Sequence, residues 1–326
     1  MLDRPKRIIV ARTDRIGDVV LSLPVFASLK KCFPDSELTA LVSSYASAVV
    51  SSSSSVDRTI AISPGESIRS ISRRMRQANA DSIVMLFPRF RLSLASVLAG
   101  IPTRVGTAYR WYSFLFNLKV HEHRKDSTKS EAEYNLALAR ALGCNEIVLD
   151  THLDIDSGSL LRVKEFLDKN KVGRFVVVHP GSGGSAHEWG AEHYRSLTRA
   201  ITGELGLTAL ITGTSSEEEL CTKMSDGISR TLNTAGKFSL LEFIALLSEA
   251  ETFVSNSTGP LHLAASVGIP VIGIYPNTAP MTPVRWAPLT DRKVILTPED
   301  GSDDLSSISV NEVMQSITRL ISVKAQ

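Results

Sequence analysis

Short runs of β-branched and aliphatic residues alternate along the chain with longer stretches whose apolar positions recur at helical spacing. That alternation is the pattern of βα units around a parallel sheet. Five strands are expected in the first half, over Arg7–Ala11, Glu37–Val42, Thr59–Ile62, Ser82–Leu86 and Thr103–Gly106. Five more are expected in the second, over Arg174–His179, Thr208–Thr212, Thr231–Asn233, Thr252–Ser255 and Val271–Tyr275. Helices fill the gaps. One is expected over Val19–Phe33 with Pro24 near its start, and a last one over Asn311–Val323, where Val313, Met314, Ile317, Leu320 and Ile321 form an apolar stripe. The stripe needs a partner, and the N-terminal lobe is one place for it. The polar stretch Asp150–Ser159 separates two similar halves, giving domains 1–158 and 159–326, each a Rossmann-like α/β lobe.

With 326 residues the chain exceeds the size at which single cores divide, which agrees with two domains. No apolar run is long enough to span a bilayer, and the first residues are too charged for a secretory leader, so a cytoplasmic protein is expected. Cys32, Cys144 and Cys221 lie far apart without metal-binding spacing, and idle thiols are the expectation. Lys and Arg number 36 against 34 Asp and Glu, a net +2 that rules out a polybasic tail-type protein. The average conceals a split. Residues 1–150 hold 21 basic and 14 acidic side chains, or +7, and the remainder 15 and 20, or −5. The first half therefore suits an anionic partner.

Four segments carry candidate chemistry. The loop Arg12-Thr-Asp-Arg-Ile-Gly-Asp18 follows the first strand, where doubly wound sheets bind ligands. A carboxylate at Asp18 can act as a general base toward a hydroxyl, or merely cap the next helix. The glycine-rich loop after His179 matches neither dinucleotide nor P-loop spacing, yet its backbone can approach a phosphate, with His187 as a donor. In Gly213-Thr-Ser-Ser-Glu217 the Glu either accepts from ribose hydroxyls or closes a capping box. The run Ser257-Thr258-Gly259-Pro260-Leu261-His262 ends a strand and opens a helix, whose N-terminal amides form an anion site to which His262 can add a donor.

Taken in order, RTDRIGDVVLSLP, HPGSGGSAHEW, GTSSEEE and NSTGPLHLAASVGIPVIGIYPNTAP make the sequence resemble the ADP-heptose:lipopolysaccharide heptosyltransferases, glycosyltransferase family nine. The resemblance implies a GT-B fold, two Rossmann-like lobes with parallel sheets and an interlobe cleft, with acceptor on the N-terminal lobe and nucleotide sugar on the C-terminal one. It implies inverting transfer of heptose from ADP-heptose to the lipopolysaccharide core, with Asp18 as general base, and no metal or other cofactor. Glu217, Thr258, Gly259 and His262 fall on donor-binding positions. Arginines of the N-terminal half, Arg69 and Arg73 among them, with Thr13 and Arg15 of the first loop, would meet the anionic glycolipid acceptor at the inner-membrane surface; no nucleic acid is implied. His187 stands where the family commonly has Lys, and Ser257 where many members have Asp. Two other readings follow: a related transferase using another nucleotide sugar, or a nucleotide-sugar-binding protein without turnover.

Overall fold

The computed structural model describes residues 4–184 and 186–323. The chain divides into two compact units, Met1–Leu153 and Asp154–Gln326. The helix Ser157–Lys169, which a boundary at 158 would cut, thus lies whole in the second unit, capped by Asp156, whose carboxylate accepts from Ser159 N–H at 2.7 Å.

The first unit holds β1 (Arg7–Arg12), β2 (Glu37–Ser43), β3 (Arg58–Ile62), β4 (Ser82–Met85), β5 (Thr103–Thr107) and β6 (Leu118–Val120), in the sheet order β3-β2-β1-β4-β5-β6. The second holds β7 (Phe175–His179), β8 (Thr208–Ile211), β9 (Thr231–Asn233), β10 (Thr252–Asn256), β11 (Val271–Ile274) and β12 (Lys293–Leu296), in the order β12-β11-β10-β7-β8-β9. Every pairing is parallel. Numbered within its own unit, each sheet reads 3-2-1-4-5-6, the doubly wound order whose direction reverses between its first and fourth strands. All ten expected strands form. β6 and β12 escaped the sequence reading because both are short edge strands, where only one side is covered and the apolar signal thins.

Val19–Phe33 is not one helix. A first turn, Ile16–Val20, is followed by a fresh start at Leu23–Cys32 with Pro24 at its second position. Proline has no N–H to donate back to residue 20, so the chain restarts there, where that lack costs nothing. The final helix, Val310–Val323, packs on the helix Ala191–Glu204 and against β10 and β11, inside the second unit. Its Val313, Met314 and Ile317 join the same core as Trp189. Trp189 locks that core to the chain end by donating its indole N–H to Ile308 O at 2.8 Å.

The expectation of idle thiols fails for two of the three cysteines. Cys32 and Cys144 form a disulfide with a Cα–Cα distance of 5.4 Å, in the range such bridges require. They sit 112 residues apart and meet because the helix Leu23–Cys32 packs on the helix Glu131–Arg140, so spacing along the chain could not reveal them. Cys221 is free and buried.

Candidate functional sites at the two switch points

In the first unit β1 ends on Arg12, an arginine with 2% exposure. Burying a guanidinium is costly unless it is paired and hydrogen-bonded. Here its fork is filled. Nε donates to Asp14 Oδ1 at 2.7 Å, Nη1 to Glu131 Oε1 at 2.8 Å and to Asn135 Oδ1 at 3.1 Å, and Nη2 donates to Asp18 Oδ1. Glu131 is itself buried and takes a second guanidinium from Arg124. Asn135 completes the frame by donating to Leu21 O at 3.1 Å, which fastens the helix Glu131–Arg140 to the turn carrying Asp18.

Three carboxylates therefore share two guanidinium groups. Burial, with Asp14 and Glu131 adding their charge, pushes the Asp18 carboxyl up to about 6, although Arg12 pulls the other way. Burial also works against the Arg12 charge, but Asp14, Asp18 and Glu131 outweigh it and hold that guanidinium protonated. Asp18 does not cap its helix: the N-cap position is Arg15, which makes no side-chain cap bond. Thr13 is half-buried and Arg15 exposed on the same loop. Arg69 and Arg73 are exposed on the helix Ile68–Gln77, and no hydrogen bond or ion pair joins them to the Arg12 network. Sequence reasoning passed over Arg12, Glu131, Arg124 and Asn135. Arg12 closes a strand that also opens on an arginine, RIIVAR, so nothing local set it apart.

In the second unit, register places His179 at the end of β7 beside Ser255 of β10. Its ring is buried and its Nδ1 lies 2.9 Å from Thr212 Oγ1. Burial lowers its pKa to about 4 despite attraction to Glu217, so the ring is neutral. His262, the other buried histidine, is likewise lowered to about 4 by burial, and its Nδ1 has no hydrogen-bond partner. Buried polar atoms nearly always have one, so this nitrogen is an exception within the fold.

Thr258 is the N-cap of the helix Gly259–Ser266 and makes no cap bond with its side chain; its Oγ lies 3.2 Å from Ser255 Oγ. The amide cradle is narrower than the sequence suggests. Pro260 has no N–H, and Leu261 N–H returns to Thr258 O at 3.2 Å, which leaves the amides of Thr258 and Gly259 for an anion. Ser257 N–H is already spent on Ile274 O at 3.1 Å.

Glu217 closes the capping box in the register Thr214/Glu217, accepting from Thr214 N–H at 2.8 Å and Oγ1 at 2.9 Å. Burial opposes its charge, but these bonds and His179 win, and the carboxyl is held below its ordinary range. Its carboxylate also fills the space beside Gly181, where a Cβ could not fit. His187 is exposed, and its charge bears on Asp303 rather than on the buried histidines. Trp189 N–H donates to Asn256 Oδ1 at 3.2 Å, tying the glycine loop to the end of β10. Among the described residues, no group of three or more His, Cys, Asp and Glu is placed to hold a metal ion.

The profile of glycosyltransferase family 9 (heptosyltransferase) matches residues 68–312. A Haemophilus influenzae protein described provisionally as a glycosyltransferase is 29% identical, with 97% of each chain covered. Lipopolysaccharide heptosyltransferase 3 of Escherichia coli is 23% identical over 85% of each. Among solved structures, a family 9 glycosyl transferase of Veillonella parvula superposes with a TM-score of 0.86 at 21% identity, covering 98% of this chain and 97% of that one. E. coli ADP-heptose heptosyltransferase II gives 0.84 at 20% identity, covering 98% and 100%. The structural likenesses carry the fold, GT-B with its two Rossmann-like units, and the profile carries the family. The matched span includes His187, Glu217 and Ser257 to His262 but begins after Asp18. The chain belongs to glycosyltransferase family 9, the heptosyltransferases.

Proposed function

We propose that the protein is an inverting glycosyltransferase that moves a heptose from ADP-heptose to a hydroxyl of the lipopolysaccharide core, at the cytoplasmic face of the inner membrane and without a metal ion. Asp18 takes the proton of the acceptor hydroxyl as its oxygen attacks the anomeric carbon. The bond from that carbon to the diphosphate breaks, ADP leaves with the electron pair, and the configuration inverts. The observation that carries this reading is the place of Asp18 in a family 9 chain, in the loop after β1 with its carboxylate held by the Arg12 guanidinium, and burial raises that carboxyl to about 6, where it can accept a proton. The amides of Thr258 and Gly259 receive the diphosphate, and one of its oxygens supplies the partner that His262 Nδ1 lacks. Glu217 accepts from the ribose, and Ser257 and His187 border the donor. Thr13, Arg15, Arg69 and Arg73 meet the anionic acceptor.

The test is ADP release from ADP-heptose in the presence of a heptose-free lipopolysaccharide core. Asp18→Asn is expected to lower kcat by about 10²- to 10⁴-fold while ADP binding by calorimetry stays unchanged. Wild-type activity should fall about tenfold per pH unit below about pH 6, as the base protonates. Undiminished turnover in Asp18→Asn removes Asp18 from the chemistry. Turnover with a different nucleotide sugar alone keeps the mechanism and replaces the donor, the reading that His187 and Ser257 raise. ADP-sugar binding with no turnover on any donor leaves a binding protein.

A further inference from the structure

The helix Phe90–Leu98 carries its polarity the wrong way round. Its inward side presents Ser93 and Ser96 beside Leu92 and Ala95, all buried. Its outward side presents Phe90, Val97 and Leu98, exposed, with Leu94 half-buried between them. Positions i, i+4, i+7 and i+8 fall on one helical face, and on a helix lying against a sheet that face is normally the polar one. The buried serines cost little, because Ser93 Oγ donates to Arg89 O at 3.0 Å and Ser96 Oγ to Ser93 O at 2.7 Å. The apolar exposure has no such explanation inside the fold.

The stripe continues beyond the helix. Trp111, 73% exposed, stacks on Phe90 with ring centroids 4.9 Å apart, and Phe114, 68% exposed, follows three residues later. Tyr112 anchors this turn to the helix by donating its hydroxyl to Pro88 O at 2.7 Å. The stretch of chain that carries the patch is charged mostly with one sign. Residues 63–115 contain eight arginines and two carboxylates, Glu66 and Asp81. Glu66 is held by Ser70 and Arg74, and Asp81 accepts from the amides of Lys6 and Arg7 through Oδ2 while its Oδ1 is buried. Arg69, Arg73, Arg89 and Arg110 are exposed and pair with no carboxylate among the described residues.

We propose that the helix Phe90–Leu98 and the turn Trp111–Phe114 form a docking surface for the interface of an anionic phospholipid bilayer. An apolar centre with a tryptophan and an unpaired arginine rim matches acyl chains beneath anionic headgroups. A second copy of this chain matches poorly, since a two-fold contact would set the same arginines against each other. No described helix is long and apolar enough to cross a membrane, so the surface rests on the bilayer. Docking requires neither donor nor acceptor, so its failure would leave the proposed transfer reaction standing.

Co-sedimentation with phosphatidylcholine vesicles, with and without phosphatidylglycerol, tests this on the full chain without lipopolysaccharide. Binding is expected to the anionic vesicles and to weaken with salt. Leu98→Ser with Trp111→Ser should lower partitioning at least about tenfold. Arg89→Gln and Arg110→Gln should each lower it about fivefold on anionic vesicles and leave the residual binding to neutral ones unchanged. These positions are exposed, and a thermal melt checks that each variant folds. Trp189 is buried and Trp286 is half-buried in the second unit, so brominated lipid should quench chiefly Trp111, and Trp111→Phe should bind yet lose that quenching, whereas Trp286→Phe should keep it. No binding by wild type, or unaltered binding by Leu98→Ser/Trp111→Ser, overturns the proposal. So does a dimer that Leu98→Lys dissolves and that ignores vesicles.

Discussion

β1 and β7 hold the same place in the same strand order, each beside the fourth strand of its sheet, and each is followed by a loop with a candidate site. At the first site every atom of interest is ionic: Arg12 binds Asp14, Asp18 and Glu131, and Arg124 joins from the side. At the second the two buried rings are neutral, since burial holds His179 and His262 near 4. The two carboxylates show what this does. Asp18 is pushed up to about 6 first by burial and then by the two carboxylates that compete with it for guanidinium charge. Glu217 is held by Thr214 through its N–H and hydroxyl, with His179 as the nearest ring, and goes down. One topology thus carries a carboxyl raised toward neutrality in one unit and a carboxyl held ionised in the other, and the difference lies in how deeply each is buried and in what shares its charge.

The largest expected effect breaks the ionic side. Arg12→Met leaves Asp14, Asp18 and Glu131 with Arg124 alone, and uncompensated charge in a buried place is costly. Stability should fall by about 3–5 kcal/mol in a denaturant melt at neutral pH, and the acidic limb of any turnover should move to higher pH. A variant as stable as wild type would mean that the network contributes nothing to holding the loop.

The second effect sets the units against each other. Asp18 has a folded pKa near 6, above its unfolded value near 4, so its contribution is fully present below about pH 4 and is lost as pH rises through 6. His262 has a folded pKa near 4, below its unfolded 6.5, so the folded state binds fewer protons in that window and stability grows as pH rises toward 6.5. Melts from about pH 4.5 to 7 should therefore show opposite trends. Asp18→Asn should gain on wild type with rising pH, by up to about 3 kcal/mol, and His262→Asn should lose ground by a similar amount. Parallel curves for the two variants would erase the contrast between the sites.

Half of this contrast was legible in the sequence. Apolar runs and their spacing revealed ten strands, and the order of motifs placed both loops at strand ends, because period and turn chemistry are local. Thr258 and His262 stood out as candidates for the same reason, whereas Asp18 read locally as a helix cap and became a candidate base through the family resemblance. Arg12 and Glu131 were not, since a salt bridge spanning 119 positions leaves no mark on either neighbourhood. Glu131 lies in SEAE, where the Ser130/Glu133 capping box accounts for the local pattern and hides the buried carboxylate two residues before Glu133. The disulfide and the inverted helix Phe90–Leu98 were hidden likewise, because only packing decides which thiols meet and which face turns inward.

The smallest effect concerns the glycine loop, and it decides what the glycines are for. A glycine-rich turn after a strand suggests bare backbone kept free for a phosphate, yet Gly183 and Gly184 have open space where a Cβ would go and owe their identity to φ of 52° and 70°. Gly181 has no such φ; a Cβ there would collide with the Glu217 carboxylate. Its bareness serves the anchored carboxylate of the neutral site. Gly181→Ala should expel Glu217 from its capping box at a cost of about 1 kcal/mol. In Glu217→Ala that space is already empty, so adding Gly181→Ala should cost nothing more, a non-additivity that a double-mutant melt reads directly. If the two costs add, Gly181 is reserved for some other occupant, and the fixed anion of the second unit loses its best-defined neighbour.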